Sequence, residues 1–153
     1  MVEKVEKYSL LVAKNYTETE FRELWHNEYV NQDIRTCDGI KVHFYDDNFD
    51  HAFYESTGRN VGKKSPLHKD LLSNRRLARM LWIKEALRDP DAKVVTGYDN
   101  KKKTYTRNKR VSIVMGNYVV VIQLYGDFTN AKFITAYVAD ESISKILGSP
   151  SWK

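Results

Sequence analysis

Cysteine is all but missing. Cys37 stands alone, so no internal disulfide can form and no thiolate cluster is on offer to a metal. A reducing compartment is expected, although a fold without disulfides is also compatible with secretion. With three prolines and seven glycines, there is no collagen-like or linker-like stretch, and no repeat period is visible. Long apolar runs are missing too. The segment MVEKVEKYSLLVAKNYTETE has only a few consecutive apolar residues, too few for a signal-peptide core or a membrane span. A soluble, cytoplasmic protein with no membrane partner is therefore expected. Three chemical signatures are also absent: the phosphate loop GxxxxGK[ST], HExxH or a Cys/His metal spacing, and the Gly-x-Ser-x-Gly elbow. What remains is acid–base chemistry with no metal and no cofactor.

The chain has 153 residues, of which 42% are apolar and 12% aromatic. That suits one compact domain over 1–153 and excludes a disordered chain. Its net charge of +5 hides a division. Residues 1–60 hold 7 Lys/Arg against 12 Asp/Glu, whereas residues 61–153 hold 18 against 8. The cations are densest from Arg59 to Arg110. They form the runs Lys63-Lys64, Arg75-Arg76, Lys101-Lys102-Lys103 and Arg107/Lys109/Arg110. Clustered cations release counterions from a phosphate backbone, so this segregation points to a polyanion, and these residues are candidate nucleic-acid contacts. A solvated lysine-rich surface has the same composition.

Periodicity predicts a helix around 17–30, opened by the capping-box spacing Thr17-x-x-Glu20 and carrying Phe21, Leu24, Trp25 and Tyr29. His26, beside that stripe, reads as a packing residue. Cys37-Asp38-Gly39 reads as a turn. Ile40, Val42 and Phe44 alternate with Lys41, His43 and Tyr45, as in a short strand. Asp46-Asp47-Asn48 starts a further helix. STGRNVGKKSPLHK reads as a basic loop, and a long helix is predicted over 69–88, ended by Pro90. The remainder is strand-rich. Val94–Gly97 is expected to pair with Thr104–Thr106. Val111–Met115 and Tyr118–Leu124 form a hairpin across Gly116-Asn117, and Lys132–Val138 follows. Asp140 caps a short last helix. The fold class is α+β: N-terminal helices on one face of a twisted antiparallel sheet.

Several groups are candidates for acid–base work. His51 lies between Phe49 and Phe53, which share the core side, so its imidazole points elsewhere and suits a general acid or base. Arg110 opens a strand and suits either a phosphate or a rim position. Phe133, Thr135 and Tyr137 are expected on the open sheet face, with Ile134, Ala136 and Val138 on the core face. Open hydroxyls and rings suit phosphate contact and base stacking, while the same residues also suit an ordinary half-buried strand. Glu55 and Tyr105 are secondary candidates.

The segments DNFDHAFYES, RRLARMLWIKEAL, RNKRVSIVMGNYVVVIQL and KFITAYVADESISKI resemble the phage-associated nuclease domains of the barnase–EndoU–colicin–RelE (BECR) superfamily. The resemblance covers roughly residues 40–150, with 1–36 as an N-terminal helical extension. It implies helices followed by a four- or five-stranded antiparallel sheet. It also implies a phage- or prophage-linked, toxin-like ribonuclease that cleaves RNA without a metal on the sheet's exposed face. The carried-over site is His51, Arg110, Thr135 and Tyr137. His51 would be general base or acid, Arg110 with Lys101–Lys103 would stabilise the phosphorane, and Thr135 and Tyr137 would orient the phosphate or protonate the leaving oxygen. RNA is the implied partner, with a cognate inhibitor or a phage structural protein besides. Shape alone does not decide activity. The rival readings are a non-catalytic nucleic-acid-binding or phage-packaging-associated module, and a protein-interaction domain whose acidic front meets a basic partner.

Overall fold

The computed structural model describes residues 8–56, 69–96, 98–99, 104–105, 110–126, 129–139 and 143–148; for 55, 56, 69–71, 98, 99, 104 and 105 it describes the backbone alone. The helices are α1 (Glu18–Tyr29), α2 (Asn48–Phe53), α3 (Asn74–Ala78), α4 (Trp82–Arg88) and α5 (Ile143–Leu147). The strands are β1 (Ile34–Arg35), β2 (Lys41–His43), β3 (Tyr54–Ser56), β4 (Lys69–Leu72) and β5 (Lys93–Thr96). They continue with β6 (Tyr98–Asp99), β7 (Thr104–Tyr105), β8 (Arg110–Met115), β9 (Tyr118–Tyr125) and β10 (Asn130–Val138). Among the described residues, no helix is long and apolar enough to cross a membrane.

The fold is α+β, around a six-stranded sheet ordered β1-β2-β10-β9-β8-β5. It is mixed, not purely antiparallel, because β2 from the N-terminal half joins β10 in parallel. The expected pairing of Val94–Gly97 with Thr104–Thr106 is replaced by two others. β5 pairs with β8, and β6 pairs with β7 in a separate hairpin. The Gly116-Asn117 hairpin forms as expected. Gly116 takes φ 62° and Met115 pairs with Tyr118 across it, a backbone position glycine reaches without Cβ strain.

The first sheet face is covered by α1 to α4. The capping box closes α1: the Glu20 amide donates to Thr17 Oγ1 at 3.1 Å, and the Thr17 amide donates to Glu20 Oε1 at 2.8 Å. Phe21, Trp25 and Tyr29 then point inward, all buried. Trp25 stacks on Tyr29 at 4.6 Å and meets Phe44, Phe53 and Phe133 at 5.3–5.6 Å. Each such side chain removed from water contributes about 1.5–3 kcal/mol, so this cluster fastens the N-terminal segment to the sheet. His26 is not a packing residue. It is about half exposed and meets Asp46 at 2.9 Å.

The predicted 69–88 helix is broken twice. Its first four residues are β4, which pairs with β3. Ser73 then caps α3, accepting from the Arg76 amide at 3.2 Å. The second break has a cause distant in sequence. The buried Tyr29 hydroxyl donates to the Met80 carbonyl at 2.6 Å and accepts from the Lys84 amide at 3.1 Å. Met80 and Lys84 are the two ends of a regular helix hydrogen bond, so the inserted hydroxyl divides α3 from α4.

The second face carries α5, packed through Ile143, Ile146 and Leu147 on Val95, Val114, Val119 and Val121. A bulge in β10 decides which side chains point there. Phe133 pairs with Ile122, yet Thr135 pairs with Val121, so one extra residue sits between them. Phe133 therefore belongs with Ala131, Ala136 and Val138 in the helix-side core. Ile134 and Tyr137 pack on the second face. The expected set Phe133/Thr135/Tyr137 is corrected by that residue: Thr135 and Tyr137 share a face, and Phe133 lies on the other.

Candidate active site

The bulge lies where β10 changes neighbours. Along β10, β2 pairs with Asn130 to Lys132, and α2 and α3 also pack against β10. Two sequence-distant residues, Arg76 and Tyr137, approach each other there, and His51 lies on α2, which Arg76 anchors. His51 is exposed in the last turn of α2, whose Phe49, Ala52 and Phe53 are buried. Arg76 follows the Ser73 cap on α3 and donates through Nη1 to the Ala52 carbonyl at 3.0 Å. That carbonyl belongs to the end of α2, where the helix supplies no amide of its own. The Ser73 amide donates to the Phe53 carbonyl at 2.8 Å and fixes the same junction. The Arg76 guanidinium also lies 6.0 Å from the Tyr137 ring centroid, at the outer limit of cation–π contact.

Tyr137 is half-buried. Burial pushes its phenol proton affinity up, and the Arg76 charge offsets part of that rise. The phenol is therefore held neutral and protonated through the physiological range. Thr135, also half-buried, projects from the same face, one position past the bulge. The corner thus offers an imidazole one residue from the carbonyl that anchors a guanidinium, a phenol beside that guanidinium, and a hydroxyl on the phenol's own face. Such groups can take up a proton, hold an oxyanion and return a proton.

Arg110 stands apart. It opens β8 as expected, and its Nη2 donates to Gln123 Oε1 at 3.3 Å. Strand register aligns it with Gln123, Lys132 and His43 in one row on the Thr135/Tyr137 face, two strands from β10. His51 projects from the layer on the helix side. Arg110 is therefore not the cation beside Tyr137; Arg76 is. The charge run Arg75-Arg76 marked Arg76 only as a nucleic-acid contact. Ser73-x-x-Arg76, a cap followed by its third residue, was the available local signal. Arg75 is exposed on α3. For Glu55 and Tyr105 only the backbone is described, in β3 and β7. Lys63, Lys64, Lys101, Lys102, Lys103, Arg107, Lys109 and the Asp140 cap lie outside the described residues.

A cavity of about 330 Å³ lies elsewhere, between α4, the β1–β2 turn and the helix-side face of β5, β8 and β9. Leu87, Val94, Val111, Ile113 and Ile122 wall it, and none of the acid–base candidates lines it. Among the described residues, no three His, Cys, Asp or Glu side chains gather as a metal-ligand group. Comparison of the chain with protein-family models, curated proteins and solved structures finds no match.

Proposed function

We propose that this protein is a ribonuclease that cleaves RNA through attack of a ribose 2′-hydroxyl on the adjacent phosphate. The observation that carries this reading is the position of Arg76, between the end of the helix that bears His51 and the ring of Tyr137. In this scheme His51 takes the 2′-hydroxyl proton. The 2′-oxygen bonds to phosphorus, and the extra negative charge falls on the phosphoryl oxygens beside Arg76. The bond to the 5′-oxygen then breaks, and the Tyr137 phenol supplies its proton, leaving a cyclic phosphate and a 5′-hydroxyl. Thr135 orients a phosphoryl oxygen by hydrogen bonding. Arg110, two strands away, holds a flanking phosphate. The resemblance to BECR nucleases supports the same reaction and a toxin-like, phage- or prophage-linked setting, with a cognate inhibitor or phage structural protein as further partner.

The test is cleavage of total RNA and tRNA by the purified chain in EDTA, repeated with His51→Ala and Arg76→Ala. Proton transfer by a positioned side chain is typically worth about 10²–10⁴-fold, so His51→Ala is expected to lose at least 10²-fold of the rate. Full activity in both variants would reject this corner as the site. The row through Arg110 favours a second reading, a binding module without catalysis, which the same assay separates by binding without cleavage.

A further inference from the structure

One half of the second sheet face lies outside the apolar cluster under α5. The row His43–Lys132–Gln123–Arg110 crosses it. A second row follows from the pairings Arg35↔Lys41, Lys41↔Asn130 and Asn130↔Tyr125. Residues two apart on β2, β9 and β10 join the rows, so these side chains share one surface. With strands about 4.8 Å apart, four of them span about 14 Å. Four of the eight positions are Lys or Arg and none is Asp or Glu. Asp33 offsets Arg35 at 2.9 Å, which leaves the cationic excess to Lys41, Lys132 and Arg110. Between these charges stand two rings. Tyr125 is 42% exposed, and its ring centroid lies 5.9 Å from that of His43 at an interplanar angle of 43°.

We infer that this patch is a docking track for single-stranded RNA. The cations meet backbone phosphates, and Tyr125 stacks an unpaired base. Charge complementarity selects a polyanion. The exposed ring on the sheet surface selects an unpaired strand over a duplex, whose base faces are hidden. The choice of RNA rests on the ribonuclease reading, whereas the track itself is drawn from strand register and charge. Because Thr135 and Tyr137 project from the same face, a strand on the track leads toward the Arg76 corner.

The experiment uses the full chain and a labelled single-stranded 12-mer of 2′-O-methyl uridine, which cannot be cleaved by 2′-attack. Binding is followed by fluorescence anisotropy over a salt series. Lys41→Ala/Lys132→Ala is expected to lower the slope of log affinity on log salt by about 1.4, about 0.7 for each lost phosphate contact. Tyr125→Ala is expected to weaken binding about 5- to 150-fold, as for loss of one base stack. Lys14→Ala, an exposed cation outside the patch, is expected to bind as wild type, and circular dichroism checks that each variant is folded. Wild-type slope and affinity in both patch variants would overturn the track, as would no binding at low salt. Equal binding of polyglutamate, insensitive to Tyr125→Ala, would overturn it in favour of an acidic protein partner. The two proposals fail separately. Cleavage of unmodified RNA with patch-independent binding sinks the track alone, and patch-dependent binding without cleavage sinks the ribonuclease alone.

Discussion

Arg76 touches two elements at once, which separates its charge from its shape. Arg76→Lys keeps a cation near Tyr137 but loses the planar fork that reaches the Ala52 carbonyl. Its cleavage rate is expected to fall about 10²-fold or more, the scale of a lost transition-state donor, with a change of less than tenfold in affinity for the uncleavable 12-mer. Single-turnover kinetics beside anisotropy measure the two quantities, and an unchanged rate would remove Arg76 from the reaction. Tyr137 carries a pH consequence. Its proton affinity is raised by burial and only partly offset by Arg76, so the proton-donating form is complete below the ordinary phenol value and lost as pH rises beyond it. Any alkaline limb of kcat/KM that Tyr137→Phe abolishes is therefore expected above about pH 10. A limb below that value, abolished by the same substitution, would contradict the assignment. Neither residue's partnership was legible beforehand. Phe49 and Phe53 did show that His51 faces away from the core, because a four-residue spacing fixes one helix side. Nothing local tied Arg76 to β10, some sixty positions later in the chain.

At the scale of elements, local rules read well and long-range intrusions did not. Thr17 and Glu20 marked the start of α1 because both halves of a capping box lie within four residues. Gly116-Asn117 marked the hairpin because the turn chemistry is contained in the dipeptide. The 69–88 helix failed because its break is made by the Tyr29 hydroxyl, more than fifty residues from Lys84. Tyr29→Phe removes that bridge: the Met80 carbonyl keeps the Ile83 amide at 3.4 Å, while the Lys84 amide loses the hydroxyl it donates to. A loss of about 1–3 kcal/mol is expected in urea unfolding, the scale of a buried polar group left unsatisfied. No loss would show that the hydroxyl bridge does not stabilise the break between α3 and α4. The parity of β10 failed for a similar reason. Alternation placed Thr135 and Tyr137 together, but the extra residue that detaches Phe133 shows only in the register with Val121 and Ile122. Gly116→Ala tests the turn. An L-residue forced to φ near 62° is expected to cost about 1–2 kcal/mol in the same unfolding assay.

Across the whole molecule, one core holds aromatic residues from both halves of the chain, and several keep their hydroxyls buried. Burial pushes the proton affinities of Tyr8, Tyr29 and Tyr118 well above the ordinary phenol value. A group raised in the folded state contributes stability that is complete below its unfolded value and lost as pH rises toward the folded one. Alkaline unfolding is therefore expected to begin above about pH 10, the unfolded phenol value. Tyrosinate absorbance should then rise in two stages, the second coinciding with loss of the circular dichroism signal. A single stage complete before unfolding would contradict that burial. The α+β class followed from the order of periodic segments, yet the β2–β10 pairing did not, since it joins residues nearly ninety positions apart. That pairing also completes the cationic patch, with Arg35 and Lys41 drawn from the acidic half of the chain. The most direct measurement compares an RNA oligonucleotide in EDTA with the same sequence carrying 2′-deoxyribose throughout. Attack by the 2′-hydroxyl requires that the RNA is cut to fragments ending in 2′,3′-cyclic phosphate while the deoxy strand stays intact. Equal cutting of both strands, or of neither, would contradict the proposed reaction.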